Sequence, residues 1–554
     1  MSKRGSAGGT WSRRAAAGAL ALLLAGLVGS AGPAEGNARS KGEGRPNIVV
    51  IQADDAIVSD LKYMPHLRSL LIKGGTNFKD FFDSYSLCCP ARTTLLTGQL
   101  AHNHRVLSNF FANDGGYYTF KSLPGKLNQR NSLAPWLQRA GYRTAMVGKY
   151  LNEYGARNHR EVPPGWDYWA ALLDNSTYDY FNYAMNVNGR VRFYGSRRYA
   201  EEYLKLAHLG ITQPQTSFAG LLGLLQQAFV PWDYFGTQNE RVYTMDINGG
   251  YAARFVRHAA PSKRPFFLYY SPPGPHAEDL NHLQNQNFRP GAPGPDPRPP
   301  ARYRHTFDDV PLPRPPSFNE ADVSDKAANI SSQPLLTDQQ IEDMTDNYRG
   351  RLGAVRSVDD QIGRIVKELR RAGELGNTYI IFNSDNGYLQ GEHRLRGSKF
   401  VPYENSIRVP TLIRGPGVRR GQQLDGTTVN TDLAPTILDM ADARPGRVMD
   451  GISLLPAARG KAKLPKRDVP LEALRPVFRF LTPFTVFDLP YYGVRTPRYK
   501  YINWSFGDTE LYDLKKDPDE MVNLAGNPAY ASLKANLEAK ATSLSHCKGT
   551  AACR

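Results

Sequence analysis

Asn47-Ile48-Val49-Val50-Ile51-Gln52-Ala53-Asp54-Asp55 is the stretch on which the fold turns. Ile48 to Ile51 form a continuous β-branched run with no polar alternation. Such a run predicts a strand buried on both faces, as in parallel sheets. Two carboxylates stand directly at its C-terminal end. The same arrangement recurs along the chain. Arg143 to Val147 predicts a strand that runs into Lys149. Pro265 to Tyr270 predicts another, followed by a Pro/Gly loop carrying His276. Thr378 to Phe382 predicts a third, with Asp385-Asn386 just beyond it.

Helical patterns lie between these strands. Ser132 to Ala140 reads as a helix ended by Gly141. Thr337 to Arg371 reads as a long amphipathic helix, with Gly350, Gly353 and Gly363 as expected points of interruption. Strands alternating with helices predict an α/β fold with a large, mostly parallel central sheet flanked by helices. Ligands in such folds bind beyond the C-terminal ends of the strands. Asp54, Asp55, Lys149, His276, Asp385 and Asn386 all fall there, which points to one site. After about residue 465 the pattern changes. Tyr491 to Thr496, Tyr499 to Trp504 and Glu510 to Leu514 predict short antiparallel strands in a smaller C-terminal α+β domain. The Pro-rich segment 284–316 reads as a surface loop or partly disordered insertion.

Leu87-Cys88-Cys89-Pro90-Ala91-Arg92-Thr93-Thr94-Leu95-Leu96-Thr97-Gly98 carries the chemistry. Pro90 suits the first position of a helix, where its missing N–H costs nothing. Gly98 suits the helix end. Cys88 then sits at or just before a helix N-terminus, where free N–H groups favour negative charge. That position could lower a thiol pKa or cradle an anionic ester. Arg92, one turn on, adds a fixed donor fork. Two small buried cysteines would be the bland reading of Cys88-Cys89. An Asp-Asp pair is usually a loop cap and Asp-Asn-Gly usually a turn. Two such pairs at strand ends beside this motif favour a metal site instead. Carboxylate and amide oxygens suit Ca²⁺ or Mg²⁺ better than zinc.

The 554 residues, 41% hydrophobic and 22% charged, describe a globular chain large enough for more than one domain. The net charge of +17 favours anionic partners. No Lys/Arg block with interleaved aromatics stands out, which argues against nucleic acid. Residues 1–34 read as a secretion signal, with Lys3, Arg4, Arg13 and Arg14 before the apolar run Ala15 to Val28. The run is too short for a stable membrane span. Arg13-Arg14 hints at twin-arginine export. Export to a secreted or extracytoplasmic location permits disulfides, and Cys547 and Cys553 are expected to pair in a short loop. Cys89 is then left as an unpaired thiol.

The motifs resemble those of the sulfatase family, formylglycine-dependent enzymes of the alkaline-phosphatase-like superfamily. Cys88-x-Pro90-x-Arg92-x-x-Leu95-x-x-Gly98 is similar to their activation sequence. Ile51 to Asp55 and Asn383 to Tyr388 resemble their two metal-binding strand ends. The resemblance implies that Cys88 is oxidised to formylglycine by a formylglycine-generating enzyme. It implies that Asp54, Asp55, Asp385 and Asn386, with the modified Cys88, bind a divalent cation, typically Ca²⁺. Arg92 would hold the formylglycine hydrate, Lys149 and Lys399 would grip sulfate oxygens, and His276 would protonate the leaving oxygen. His102 to Val106, Gly148 to Gly155 and the tail cysteines lean toward N-acetylglucosamine-6-sulfatases. The implied substrates are sulfated carbohydrates or aryl sulfates. Many members carry histidine two residues after the lysine, where this chain has Leu151. Asn152, His102 and His104 are the candidates for that role. The implied division is a catalytic domain at 45–465 and a C-terminal subdomain at 466–554. The competing readings are a phosphodiesterase or phosphonate-ester hydrolase on the same fold, and an inactive sulfated-glycan-binding protein.

Overall fold

A computed structural model describes residues 44–111, 114–122, 129–174, 176–195, 239–278, 297–474 and 490–553. The expected signal at 1–34 lies outside the described residues. Ten strands make the large sheet: β1 (Asn47–Ala53), β2 (Thr76–Phe78), β3 (Arg143–Gly148), β4 (Tyr168–Leu172), β5 (Tyr183–Val187), β6 (Arg190–Tyr194), β7 (Phe266–Ser271), β8 (Thr378–Ser384), β9 (Thr411–Arg414) and β10 (Gln422–Leu424). Their order is β10-β2-β9-β8-β1-β7-β3-β4-β5-β6. The middle five, β8-β1-β7-β3-β4, run parallel. Antiparallel β9 flanks them on one side and the β5–β6 hairpin on the other.

All seven residues of β1 are buried. The pleat sends Ile48 and Val50 into one apolar layer, Val49 and Ile51 into the other. The first layer contains α1 (Cys88–Thr97), α2 (Leu133–Arg139) and, later in the chain, the helix Leu433–Ala441. The second contains α3 (Thr244–Ala259) and α4 (Asp338–Arg371). Helices on both faces are what a strand with no polar face requires.

Helix α4 is one unbroken helix of 34 residues, and its glycines do not interrupt it. Thr337 caps it: its hydroxyl accepts from Gln340 N while the Gln340 side chain accepts from Thr337 N. The glycines instead make room. A Cβ on Gly353 would lie 2.4 Å from Pro299 Cβ, and one on Gly363 3.0 Å from the His66 ring. The described part of the expected Pro-rich surface loop, 297–316, is irregular but anchored. Phe307 and Leu312 are buried against Met344, Tyr348 and Leu352 of α4. Arg302 bonds both oxygens of Asp246 at 2.7 Å, which fastens the segment to α3.

Four antiparallel strands follow: β11 (Val469–Ala473), β12 (Tyr491–Arg495), β13 (Tyr499–Trp504) and β14 (Thr509–Asp513). The sequence did not reveal β11, since Pro470 and Glu472 disguise it. A proline is tolerated there because β11 is an edge strand. The C-terminal helix Ala531–Leu544 covers this sheet through Leu537, Ala541 and Leu544. Cys547 and Cys553 form the expected disulfide, with S–S 2.08 Å. Among the described residues, no helix is long and apolar enough to cross a membrane.

Candidate active site

Sheet register delivers the site. Ala53 pairs with Ser384 across β1 and β8, so Asp54-Asp55 and Asp385-Asn386 emerge side by side. Gly148 pairs with Ser271 across β3 and β7, which places Lys149 beside the loop that carries His276. Gly274 O in that loop accepts from Asp54 N at 3.3 Å. A two-stranded ribbon, Leu389–Gln390 with Arg396–Ser398, brings Lys399 to the same place. Phe400 N donates to Ser86 O at 3.0 Å, joining that ribbon to the loop before Cys88.

Cys88 is the first residue of α1, and Leu87 is its extended N-cap. Pro90 is therefore the third helical position rather than the first. It is tolerated there because N–H groups of the first turn have no partner within the helix. Gly98 closes α1 with φ 69°, its N–H donating to Thr94 O at 2.7 Å. The Cys88 thiol is fully buried. Lys399 Nζ donates to its Sγ at 3.1 Å, and Asp54 Oδ1 lies 3.7 Å away. Burial pushes the thiol up to about 11, with Lys149 and Lys399 pulling down and Asp54 and Asp385 pushing up. The expectation of a lowered thiol is thus corrected: desolvation and two carboxylates outweigh the helix terminus. Cys89 is a buried free thiol, as expected.

Three carboxylates face three cations in this buried cluster. Asp54 Oδ2 meets Lys149 Nζ at 2.6 Å and Arg92 Nη2 at 3.5 Å. Asp55 Oδ1 accepts from Lys399 Nζ at 2.5 Å and from Asn386 Nδ2 at 2.6 Å. Asp385 Oδ2 accepts from Arg92 Nε at 2.8 Å, and its Oδ1 from Asp55 N at 3.2 Å. Arg92 is fully buried and also donates to Ser271 Oγ at 2.6 Å. Arg92 thus grips the carboxylates and the β7 end, and it makes no hydrogen bond to Cys88 Sγ. His276 Nε2 lies 3.8 Å from Asp55 Oδ2, and its Nδ1 meets Ala277 O at 2.6 Å.

The electrostatics favour the charged forms of Asp55, Lys149, Lys399 and Arg92. Burial pushes Asp55 up, but Lys399 and His276 overcome it and hold the carboxyl below its usual value. Burial pushes Lys149, Lys399 and Arg92 down; neighbouring acidic groups reverse that and raise all three. Asp55 also sits at φ 67°, an unusual backbone for a non-glycine residue and a form of strain that clusters at functional sites.

The residues fit a metal ion. Donor atoms of Asp54, Asp55, Cys88 and His276 lie within 4.8 Å of one another. Asn386 Oδ1 is buried and accepts no hydrogen bond, an oxygen that a cation would satisfy. Asp385 is outside that four-residue group, because its oxygens face Arg92 and the Asp55 backbone.

The three candidates for the missing histidine lie elsewhere or act otherwise. His102 meets Glu472 Oε2 at 2.7 Å and Cys547 O at 2.7 Å, so it fastens the tail. His104 Nδ1 accepts from Val106 N at 3.1 Å while Nε2 meets Thr94 Oγ1 at 3.1 Å. Burial, Arg447 and His102 hold it well below the usual histidine value, which makes it a neutral structural ring. Asn152 Nδ2 donates to the Tyr178 hydroxyl at 3.0 Å. One residue escaped the sequence reading altogether. Buried Arg351 of α4 donates to Asp55 O at 2.6 Å and to Pro275 O at 3.2 Å, tying the β1 end to the His276 loop. The available signal was a charged residue on the apolar stripe, three after Tyr348 and beside Leu352.

A largely parallel sheet with this carboxylate–cation cluster beyond its strand ends defines an alkaline-phosphatase-like hydrolase of anionic esters. The sulfatase family profile matches residues 46–443, and the N-sulphoglucosamine sulphohydrolase C-terminal profile matches 391–546. The N-acetylglucosamine-6-sulfatase of Homo sapiens is 30% identical over 538 residues, spanning 91% of this chain and 84% of that protein. The N-acetylglucosamine-6-sulfatase of Capra hircus is 32% identical over 432 residues, spanning 77% of this chain but 66% of that protein. A structure solved in complex with its substrate D-glucosamine-2-N,6-O-disulfate superposes with TM-score 0.66 at 22% identity, covering 90% of this chain and 97% of that one. The phosphonate monoester hydrolase of Agrobacterium radiobacter superposes with TM-score 0.62 at 21% identity, covering 90% and 95%. The chain belongs to the sulfatase family and is a sulfuric ester hydrolase.

Proposed function

We propose that this enzyme removes sulfate from sulfated amino sugars through a formylglycine made from Cys88. The observation that carries the reading is the buried Cys88 at the head of α1, held among three carboxylates and two ammonium groups. Burial pushes this thiol above its usual value, which disfavours the thiolate as the nucleophile. Formylglycine supplies a hydrated aldehyde, whose oxygen accepts the sulfuryl group and whose second hydroxyl expels sulfate. Asp54, Asp55, Asp385 and Asn386, beside residue 88, would hold Ca²⁺, with Mg²⁺ the alternative, and the cation would neutralise ester charge. Lys149 and Lys399 are the donors for the remaining ester oxygens. Arg92 orients the carboxylates and would hold the formylglycine hydrate, and His276 hands a proton to the leaving alcohol. The relatives named for N-acetylglucosamine-6-sulfate support a 6-O-sulfated glucosamine as substrate, and the net charge of +17 favours anionic glycans. Maturation then involves a formylglycine-generating enzyme, and the basic, apolar N-terminus supports export.

The test is mass spectrometry of the peptide spanning residue 88, with turnover of N-acetylglucosamine-6-sulfate. The converted peptide should be about 18 Da lighter than the cysteine form, and Cys88→Ala should lose all turnover. An unconverted thiol in active enzyme would refute the mechanism. The phosphonate-ester reading has one observation in its favour, the phosphonate monoester hydrolase of the same fold. Comparing turnover of the sulfate and phosphate esters of one phenol separates the two.

A further inference from the structure

Tyr178, in the loop after β4, carries none of the roles above, yet it touches two of the residues that do. Its ring stacks on the His276 imidazole, with centroids 4.1 Å apart and planes 24° apart. Lys149 Nζ lies 4.6 Å from the centroid of the same ring. Its hydroxyl accepts from Asn152 Nδ2 at 3.0 Å. Asn152 is itself anchored, since its carbonyl accepts from Tyr117 N at 2.8 Å. The tyrosine is 6% exposed.

The geometry has a consequence for freedom of movement. His276 is held at Nδ1 by Ala277 O at 2.6 Å, and its Nε2 lies 3.8 Å from Asp55 Oδ2. The stacked Tyr178 face adds a contact across the ring plane that these edge contacts do not supply, and offset stacks of this kind are attractive. A lysine ammonium is a flexible point charge on four methylenes. The aromatic face beside Lys149 gives it a second anchor besides Asp54, stronger for being out of water. Asn152 stops the phenol ring from sliding.

We propose that Tyr178 is a positioning residue for the hydrolysis, fixing the His276 imidazole and the Lys149 ammonium relative to each other, with Asn152 locking its ring. This inference rests on the roles given to Lys149 and His276 in the proposed function. It predicts different results for two variants. Tyr178→Phe keeps both ring faces and loses the hydroxyl with its Asn152 bond. Tyr178→Leu removes the aromatic face.

The test measures kcat and KM on an aryl sulfate, formylglycine content by mass, and melting temperature. Tyr178→Leu should lose about 100-fold in kcat, the scale set by misplacing reacting groups by an ångström. Conversion of residue 88 should match wild type. Tyr178→Phe should keep kcat within about 3-fold, because the stack survives. A folded, converted Leu variant at wild-type kcat would overturn the proposal, as would a Phe variant as damaged as Leu. Failure of the sulfatase reading shows separately, as a wild type with neither conversion nor turnover. The ring placement is then read from the His276 Hε1 signal in ¹³C-histidine-labelled full-length protein, assigned with His276→Gln. An upfield ring-current shift in wild type and Phe, lost in Leu, is expected. Its absence in wild type overturns the placement.

Discussion

Replacing His102 by glutamine should loosen the C-terminal tail at mildly acidic pH and change little in alkali. Both ring nitrogens of His102 face acceptors, Glu472 Oε2 and Cys547 O, each at 2.7 Å. Protons on both nitrogens satisfy these two acceptors, which favours the imidazolium, although Asn103 Nδ2 also lies 3.1 Å from Nε2. Burial pushes His102 down, but Glu472 overcomes it and raises the group from 6.5 to about 9. That difference corresponds to about 3 kcal/mol in favour of the protonated form in the folded state. The side chain is 10% exposed, and solvent screening reduces the figure to about 2 kcal/mol. The folded value lies above the unfolded one. The stabilisation is thus complete below the unfolded value and lost as pH rises through about 9. A 554-residue chain need not unfold in two states, so the suitable readout is local amide exchange. Protection of the helix Ala531–Leu544 and the segment to Cys553, corrected for intrinsic rates, should fall about 30-fold in His102→Gln near pH 6. The two proteins should converge near pH 10. Equal protection near pH 6, or a difference that persists unchanged in alkali, would refute the imidazolium bridge.

Gly148→Ala should be severely destabilising. Its φ is 104°, and a Cβ there would sit 2.0 Å from the Ser271 carbonyl oxygen. A loss of about 3 kcal/mol or more is expected, seen as a lower melting temperature. Arg351→Lys should fold but lose about 100-fold in kcat/KM, because one ammonium cannot reproduce the fork to Asp55 O and Pro275 O; unchanged kinetics would remove Arg351 from the site's support. Prolonged chelation should abolish turnover, and Ca²⁺ or Mg²⁺ should restore it better than Zn²⁺, given the oxygen-rich donor set. Activity that survives complete metal removal would refute the cation site.

The parallel core and the six strand-end site residues were legible because burial on both faces leaves a local signature. A run such as Ile48 to Ile51 has no other stable use, and the residue after its last pleat must lie at the sheet's edge. Cys88 and Arg92 were legible from spacing within one helix. Helix α4 was legible in extent but not in continuity, since a glycine's effect depends on what faces it. Pro299 and His66 press on Gly353 and Gly363, and neither neighbour is near in sequence.

Local pattern by itself determined which residues reach the catalytic edge and which chemical types gather there. Only the tertiary structure decided how they are paired and charged. Whether Cys88 is acidic or inert depends on burial and on Lys399 and Asp54, residues 311 and 34 positions away. Histidines two residues apart, His102 and His104, are shifted in opposite directions because one meets Glu472 while burial, Arg447 and His102 press on the other. Tyr178 and Arg351 joined the site through contacts with the His276 loop. Charge and orientation arise from long-range neighbours in a medium of low polarisability, and no short window of sequence contains those neighbours.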